Sequence, residues 1–237
     1  MRVLALDSSA TSASVALVDD EFVLGEFYIN TKLTHSQTLM MMVESLLKNT
    51  KTDIKDIDAF AVSVGPGSFT GIRIGVSAVK GMAYALNKPC IPVSTLHAMA
   101  FNLVGLEQSL VCAVMDARCE QVYNAIFEVE DNRVIRVVKD RAIRIEDLKN
   151  EIISKYDNKI INLVGDGANL CYNKLNKDVP NLKLLPGHLL YQNAVGVSQA
   201  GISLYNEGKV LSALELNPVY LRIPQAQREL KKRTGLA

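Results

Sequence analysis

Any chemistry in this chain rests on few residues. Gly65-Pro66-Gly67-Ser68-Phe69-Thr70-Gly71 is a glycine-rich loop between an apolar run and a helical pattern. A loop feeding a helix N-terminus offers unpaired N–H groups and a partial positive charge, both suited to an anion. Glycine also lets a ligand approach the backbone closely. Asp7 and Asp116 each end an apolar run and precede a small or polar turn.

The spacing argues against a standard nucleotide loop. After Gly65 and Gly67 the next glycine is Gly71, one residue too late for G-x-G-x-x-G, and no Lys-Ser or Lys-Thr pair follows. The turns Ser8-Ser9-Ala10 and Ala117-Arg118-Cys119 lack the glycines that admit a phosphate. The two aspartates therefore also fit a structural role, capping strand ends and bonding their own turns. His35, His97 and His188 are scattered, and His35 falls in a first helical turn, a place for a local hydrogen bond. The four cysteines, Cys90, Cys112, Cys119 and Cys171, form no C-x-x-C pair. Three lie in apolar runs, as small buried hydrophobes do in a reducing compartment. No Ser-His-Asp or Cys-His arrangement is legible.

The elements that would position these groups come in two similar sets. Residues 2–7, 12–18 and 22–28 read as three strands, the last two an alternating hairpin. Thr34 with Gln37 spells a capping box for a helix to about Asn49. Residues 59–64 form the next strand, and a helix follows the glycine loop from about Gly71 to Asn87. The second half repeats this order: strands at 110–116, 121–129 and 133–139, a helix at 145–155, a strand at 160–164, a Gly165-Asp166-Gly167-Ala168 turn and a helix to about Leu175. A final helix covers roughly 194–206. The expectation is a duplicated α/β protein of two βββαβα domains with a cleft between them. The first covers 1–105, completed by about 194–237, and the second, smaller one covers 106–193.

The chain has 237 residues, 49% hydrophobic and 22% charged, with a formal net charge of +1. That is ordinary for a globular protein and gives no global pull toward nucleic acid or membrane. The basic cluster from Arg228 to Arg233 is a local candidate for RNA contact, and a solvated tail otherwise. An acid inside the first apolar run argues against a secretory signal, and no uncharged stretch is long enough for a bilayer, so a cytoplasmic protein is expected.

Two helices carry more apolar surface than one core needs. In the first, Leu39, Met42, Val43 and Leu46 make one face, while Met40, Met41 and Leu47 place apolar atoms elsewhere. In the second, Ile72, Val76, Val79, Ala83 and Leu86 form a core stripe beside the small residues Gly75, Ala78, Gly81 and Ala85. A helix apolar nearly all round is either wholly buried or shares its second face with a partner. Leu39, Met40, Met41, Met42, Leu47, Gly75, Ala78, Val79 and Met82 are the partner-binding candidates.

Five segments then resemble one family: LALDSSATSASVAL, HSQTLMMMVESLL, VGPGSFTGIRIGVSAVKGMA, VMDARCEQVY and the late PVYLR. They are similar to the TsaB (YeaZ) family, bacterial proteins needed to make threonylcarbamoyladenosine in tRNA, and the resemblance covers nearly the whole chain. It implies the actin/Hsp70/sugar-kinase fold, ribonuclease H-like in each half, whose kinases position Mg-ATP phosphates where this chain has Asp7 and Asp116, so that Asp7, Ser9, Gly67, Ser68 and Asp116 become the candidate residual nucleotide or anion site. It also implies a heterodimer with a TsaD-type paralogue, the transferase acting on N6 of adenosine 37. A TsaE-type ATPase assists, the complex uses ATP, tRNA contact is indirect or weak, and the chain alone forms a homodimer.

TsaD-type proteins carry an H-x-x-x-H metal pair beyond the glycine run, where this chain has Thr95 and Met99. A hydroxyl and a thioether hold a divalent metal poorly, so no metal, no intrinsic cofactor and no catalytic residue are expected. The alternatives are a nucleotide-dependent kinase or ATPase of the same fold, or a metallopeptidase.

Overall fold

The computed structural model describes residues 1–20, 22–31, 33–105, 109–130 and 133–222. The first half runs β1 (Arg2–Asp7), β2 (Ala13–Asp19), β3 (Phe22–Ile29), α1 (His35–Asn49), β4 (Ala59–Gly65), α2 (Phe69–Leu86), β5 (Cys90–Ser94) and α3 (Thr95–Phe101). The second runs β6 (Ser109–Asp116), β7 (Gln121–Glu130), β8 (Arg133–Arg144), α4 (Ile145–Lys155), β9 (Ile161–Val164), α5 (Ala168–Leu175), β10 (Leu182–Leu184), α6 (Gly187–Leu190) and α7 (Ala194–Asn206).

Each half folds into a five-stranded sheet, in the orders β3-β2-β1-β4-β5 and β8-β7-β6-β9-β10. The leading three strands of each are antiparallel, and the next two run parallel to the central one. The expected duplication is present, the first repeat longer by a strand and a helix and the second by a strand and two helices.

Strand periodicity explains the layers. Leu4, Leu6, Val15, Leu17, Phe60 and Val62 share one core with Leu39, Met42, Val43 and Leu46 of α1 and Ile72, Val76 and Val79 of α2. The alternate residues Val3, Ala5, Ala16, Ala59 and Ala61 face Ala194, Val197 and Ala200 of α7. Both faces of the first sheet are thus covered, so β1 and β4 read as continuous apolar runs. Alanines on the α7 side permit a close approach: a β-carbon on Gly201 would stand 3.1 Å from that of Ala61.

The halves exchange their last helices. Leu96, Met99 and Ala100 of α3, with Leu103 beyond it, are buried in the core of the second sheet among Val111, Ala113 and Phe127. The helix α7, at the end of the second repeat, covers the first sheet. The two helices pack on each other, and a β-carbon on Gly196 would overlap the Ala98 carbonyl. A boundary at 105 therefore assigns α3 by chain order, whereas its core lies with the second half; residues 106–108 and 223–237 lie outside the described residues.

Two local expectations differ. The Thr34 side chain makes no cap bond to α1; its carbonyl accepts from Gln37 N at 3.0 Å instead. The helix α2 starts at Phe69 rather than Gly71, because Ser68 is the N-cap, its Oγ accepting from Gly71 N at 3.2 Å.

Candidate functional site

The glycine loop leaves β4 and enters α2 against the chain's own backbone. Ser68 N donates to the Ser9 carbonyl at 2.7 Å, and Ser8 Oγ donates to the Gly71 carbonyl at 2.9 Å. A β-carbon on Gly67 would overlap the Ser9 carbonyl oxygen, and one on Gly71 the Ser8 carbonyl oxygen. On Gly65, where φ is +126°, it would overlap the carbonyl oxygen of Val219; on Gly75 it would meet Ser8 Oγ at 2.5 Å. The second half repeats the device: a β-carbon on Gly165 would overlap the Val114 carbonyl. Gly65, Gly67, Gly71 and Gly165 admit neighbouring backbone, and Gly75 the Ser8 hydroxyl, rather than a phosphate.

Asp7 lies beneath the cleft, 1% exposed. Its Oδ1 accepts from Ser9 N at 2.8 Å and Ser9 Oγ at 2.7 Å, and its Oδ2 accepts from Ser63 Oγ at 2.5 Å. Burial pushes its pKa up, and these hydrogen bonds oppose that rise. Asp116 is the counterpart in the second half, accepting from Arg118 N at 2.8 Å with the Arg118 guanidinium 3.5 Å away. Both aspartates bond their own turns.

Of the candidate anion-site residues, Ser9, Gly67, Ser68 and Asp116 line one interlobe cleft of about 420 Å³. Asp7 is not among them, because its carboxylate is used below the surface. The cleft also holds residues not singled out by the sequence: Asp166, Tyr123, Tyr220 and Arg222. Burial raises the Asp166 pKa to about 6, with the charges of Asp116 and Asp7 adding to the effect and the hydrogen bond from Gln192 Nε2, at 3.1 Å, opposing it. Gly165-Asp166-Gly167 occupies the place after β9 that Gly65-Pro66-Gly67 holds after β4, and that internal repeat was the signal for Asp166.

The α1–α2 face divides the partner-binding candidates. Leu39, Met42, Gly75 and Val79 are buried in the chain's own core, a correction to their assignment as contact residues. Met40 is 47% and Met41 67% exposed, and with Leu47, Met82 and Ile54 they line a shallow apolar groove. Ala78 is half-buried beside it. Successive helical residues turn by about 100°, so three consecutive methionines cannot all face one core.

The metal test falls on α3. Thr95 and Met99, one helical turn apart, are both buried, and Thr95 Oγ1 has no hydrogen-bond partner. This hydroxyl and thioether are not a donor set for a divalent cation. No cluster of three His, Cys, Asp or Glu side chains fit for a metal occurs among the described residues. His97, the histidine between them, is packed on Phe127 and Phe101, and burial lowers its pKa to about 4. His35 Nε2 lies 2.7 Å from the carbonyl of Ala10, so its hydrogen bond is made to the turn after β1 rather than locally within its own helix turn. Burial pushes the thiols of Cys90 and Cys112 up to about 11 and 12, and that of Cys171 up as well, so all three are poor nucleophiles.

A family model described as TsaD, tRNA N6-adenosine threonylcarbamoyltransferase, matches residues 23–178. The tRNA threonylcarbamoyladenosine biosynthesis protein TsaB of Escherichia coli K12 is 32% identical over 231 residues, 97% of this chain and 98% of that protein. The chain belongs to the TsaB family. Haemophilus influenzae TsaB is 29% identical over 94% of each chain. YeaZ from Pseudomonas aeruginosa superposes with a TM-score of 0.78 at 26% identity, covering 92% of this chain and 100% of that one. The ethanolamine utilization protein EutJ from Carboxydothermus hydrogenoformans, at 10% identity and a TM-score of 0.52 over 85% of this chain and 90% of that one, shares the fold alone. The chain thus shares the duplicated two-sheet α/β fold of YeaZ and EutJ, and the curated TsaB proteins it matches are named tRNA threonylcarbamoyladenosine biosynthesis proteins. No described helix is long and apolar enough to cross a membrane.

Proposed function

We propose that this chain is a non-catalytic subunit that binds and activates a TsaD-type transferase during threonylcarbamoylation of N6 of adenosine 37 in tRNA. The carrying observation is the apolar groove of Met40, Met41, Leu47 and Met82, open beside the core faces that the two helices already bury against their own sheet. Methionine surfaces repack readily against a partner. Two further features support the role. The glycine loop is filled by the chain's own carbonyls, and Thr95 and Met99 stand where the paralogue carries its metal pair. In this proposal ATP is consumed by the complex, with a TsaE-type ATPase as its third member, and the chain alone uses the same groove for a homodimer.

Reconstitution tests it. Threonylcarbamoyl transfer to tRNA should require this chain together with the TsaD-type protein, and the two should co-elute. Full transfer without this chain would end the proposal.

A further inference from the structure

The segment after α7 returns to the first half and ends over the cleft. Cys90 and Leu211 exchange backbone hydrogen bonds of 2.8 Å, and Lys80 of α2 donates to the carbonyls of Leu214 and Leu216 at 3.2 and 2.9 Å. The Leu216 side chain is fully buried in the first core. Val219 N donates to the Val64 carbonyl at 2.8 Å, and the Val219 carbonyl fills the space left by Gly65. Tyr220 then meets Phe69 with ring centroids 5.0 Å apart, and its hydroxyl accepts from Arg73 Nε at 2.8 Å. Every one of these ties is to the first half.

Two residues later the direction changes. Arg222 lines the cleft, and its Nη1 donates to the Ala117 carbonyl of the β6–β7 turn, 2.9 Å away, in the second half. We propose that residues 217–222 form a strap fixed to the first lobe, and that Arg222 is the catch holding the second lobe across the mouth of the cleft. The asymmetry fixes how it opens. When the lobes part, the strap stays on the first lobe, and its own bond that breaks is Arg222 to Ala117; Ser12 Oγ to the Gln192 carbonyl and Ser94 Oγ to Asp140 join the halves elsewhere. The catch is easily released, since a guanidinium on a neutral carbonyl forms a weaker pair than one on a carboxylate.

Electron–electron distance measurements on the full chain test it. One spin label goes on Cys119, exposed and two residues from Ala117, and the other on Ala85→Cys at the exposed end of α2. Labelled protein is diluted into unlabelled chain so that only intramolecular pairs are read. The parent should give one narrow distance population. Arg222→Ala should add a longer one, the open-to-closed ratio rising roughly tenfold for the loss of one charge-assisted hydrogen bond. Arg222→Lys, which keeps a charged donor, should restore most of the parent distribution. Tyr220→Phe, which removes a tie within the first lobe, should leave it unchanged. Identical distributions for the parent and Arg222→Ala would overturn the proposal, as would Tyr220→Phe opening the cleft as far as Arg222→Ala does.

Discussion

The carbonyl oxygen of Val219 occupies the space where any other residue at position 65 would carry its β-carbon. Gly65 also holds φ at +126°, a conformation that L side chains rarely adopt. Gly65→Ala should therefore cost about 2 kcal/mol or more, from backbone strain and the displaced strap together. Gly81 is the contrast. It lies within α2, is exposed, and a β-carbon there meets nothing within 4 Å. Gly81→Ala should stabilise the protein by about 0.5–1 kcal/mol. Urea melts of the two variants should move in opposite directions.

Adjacent methionines on α1 should behave as opposites. Met41→Glu places a charge in the exposed groove and should weaken association with the TsaD-type partner at least tenfold, with the melting temperature nearly unchanged. Met42→Ala empties a core position and should cost about 2–5 kcal/mol. Affinity titration beside thermal melts distinguishes them; a Met41→Glu protein that binds with parental affinity would remove this groove from the interface.

The cleft carboxylate Asp166 gives stability a pH dependence. Its pKa is raised to about 6 in the folded chain, so between pH 4 and 6 the folded state holds a proton that the unfolded state has lost. Its contribution is present at low pH and is lost as pH rises through that window. Asp166→Asn removes the dependence. The stability of the variant relative to the parent should rise from pH 4 to pH 7, by about 2–3 kcal/mol at 1.4 kcal/mol per pKa unit.

His97 acts in the opposite sense. Its pKa is lowered to about 4, so below about pH 6.5 the unfolded state takes up a proton that the folded state refuses, and stability is lost as pH falls toward 4. His97→Phe should lose less stability than the parent between pH 7 and pH 4.5, by about 2 kcal/mol. The Asp166 and His97 slopes partly cancel in the parent. Each emerges only when denaturation midpoints are compared with its own variant across the pH range.

Local pattern revealed the elements whose signals are local. Ile72, Val76, Val79 and Ala83 mark the buried face of α2 at helical spacing, and all four are buried. The apolar strands ending at Asp7 and Asp116 lie at the centres of the two sheets. What the pattern misjudged was decided by distant neighbours. Gly67 resembles a ligand loop in isolation, yet its space is taken by Ser9. Met42 shares the helical face of Leu39, Val43 and Leu46 and is buried with them, and what spacing alone did not decide was that this face is spent on the chain's own core rather than on a partner. Pro218 to Arg222 appeared in sequence as a family signature without a role; its contacts with Val64, Gly65, Arg73 and Ala117 are too far along the chain for any spacing rule. The short β10 and α6 lack enough residues for a period to show.

The helix exchange has a consequence for the order in which this protein is made. A ribosome delivers β1 to β5 first, but the helix that covers Val3, Ala5, Ala16 and Ile91 begins only at Ala194. At about 5–20 residues per second, the sheet emerges several seconds before its cover. During that interval α3 projects the bare side chains of Leu96 and Met99 toward a second sheet not yet translated. The second core, whose members end at Leu190, can close on α3 before α7 appears, whereas the α7 face of the first sheet stays bare until the helix from Ala194 has cleared the exit tunnel.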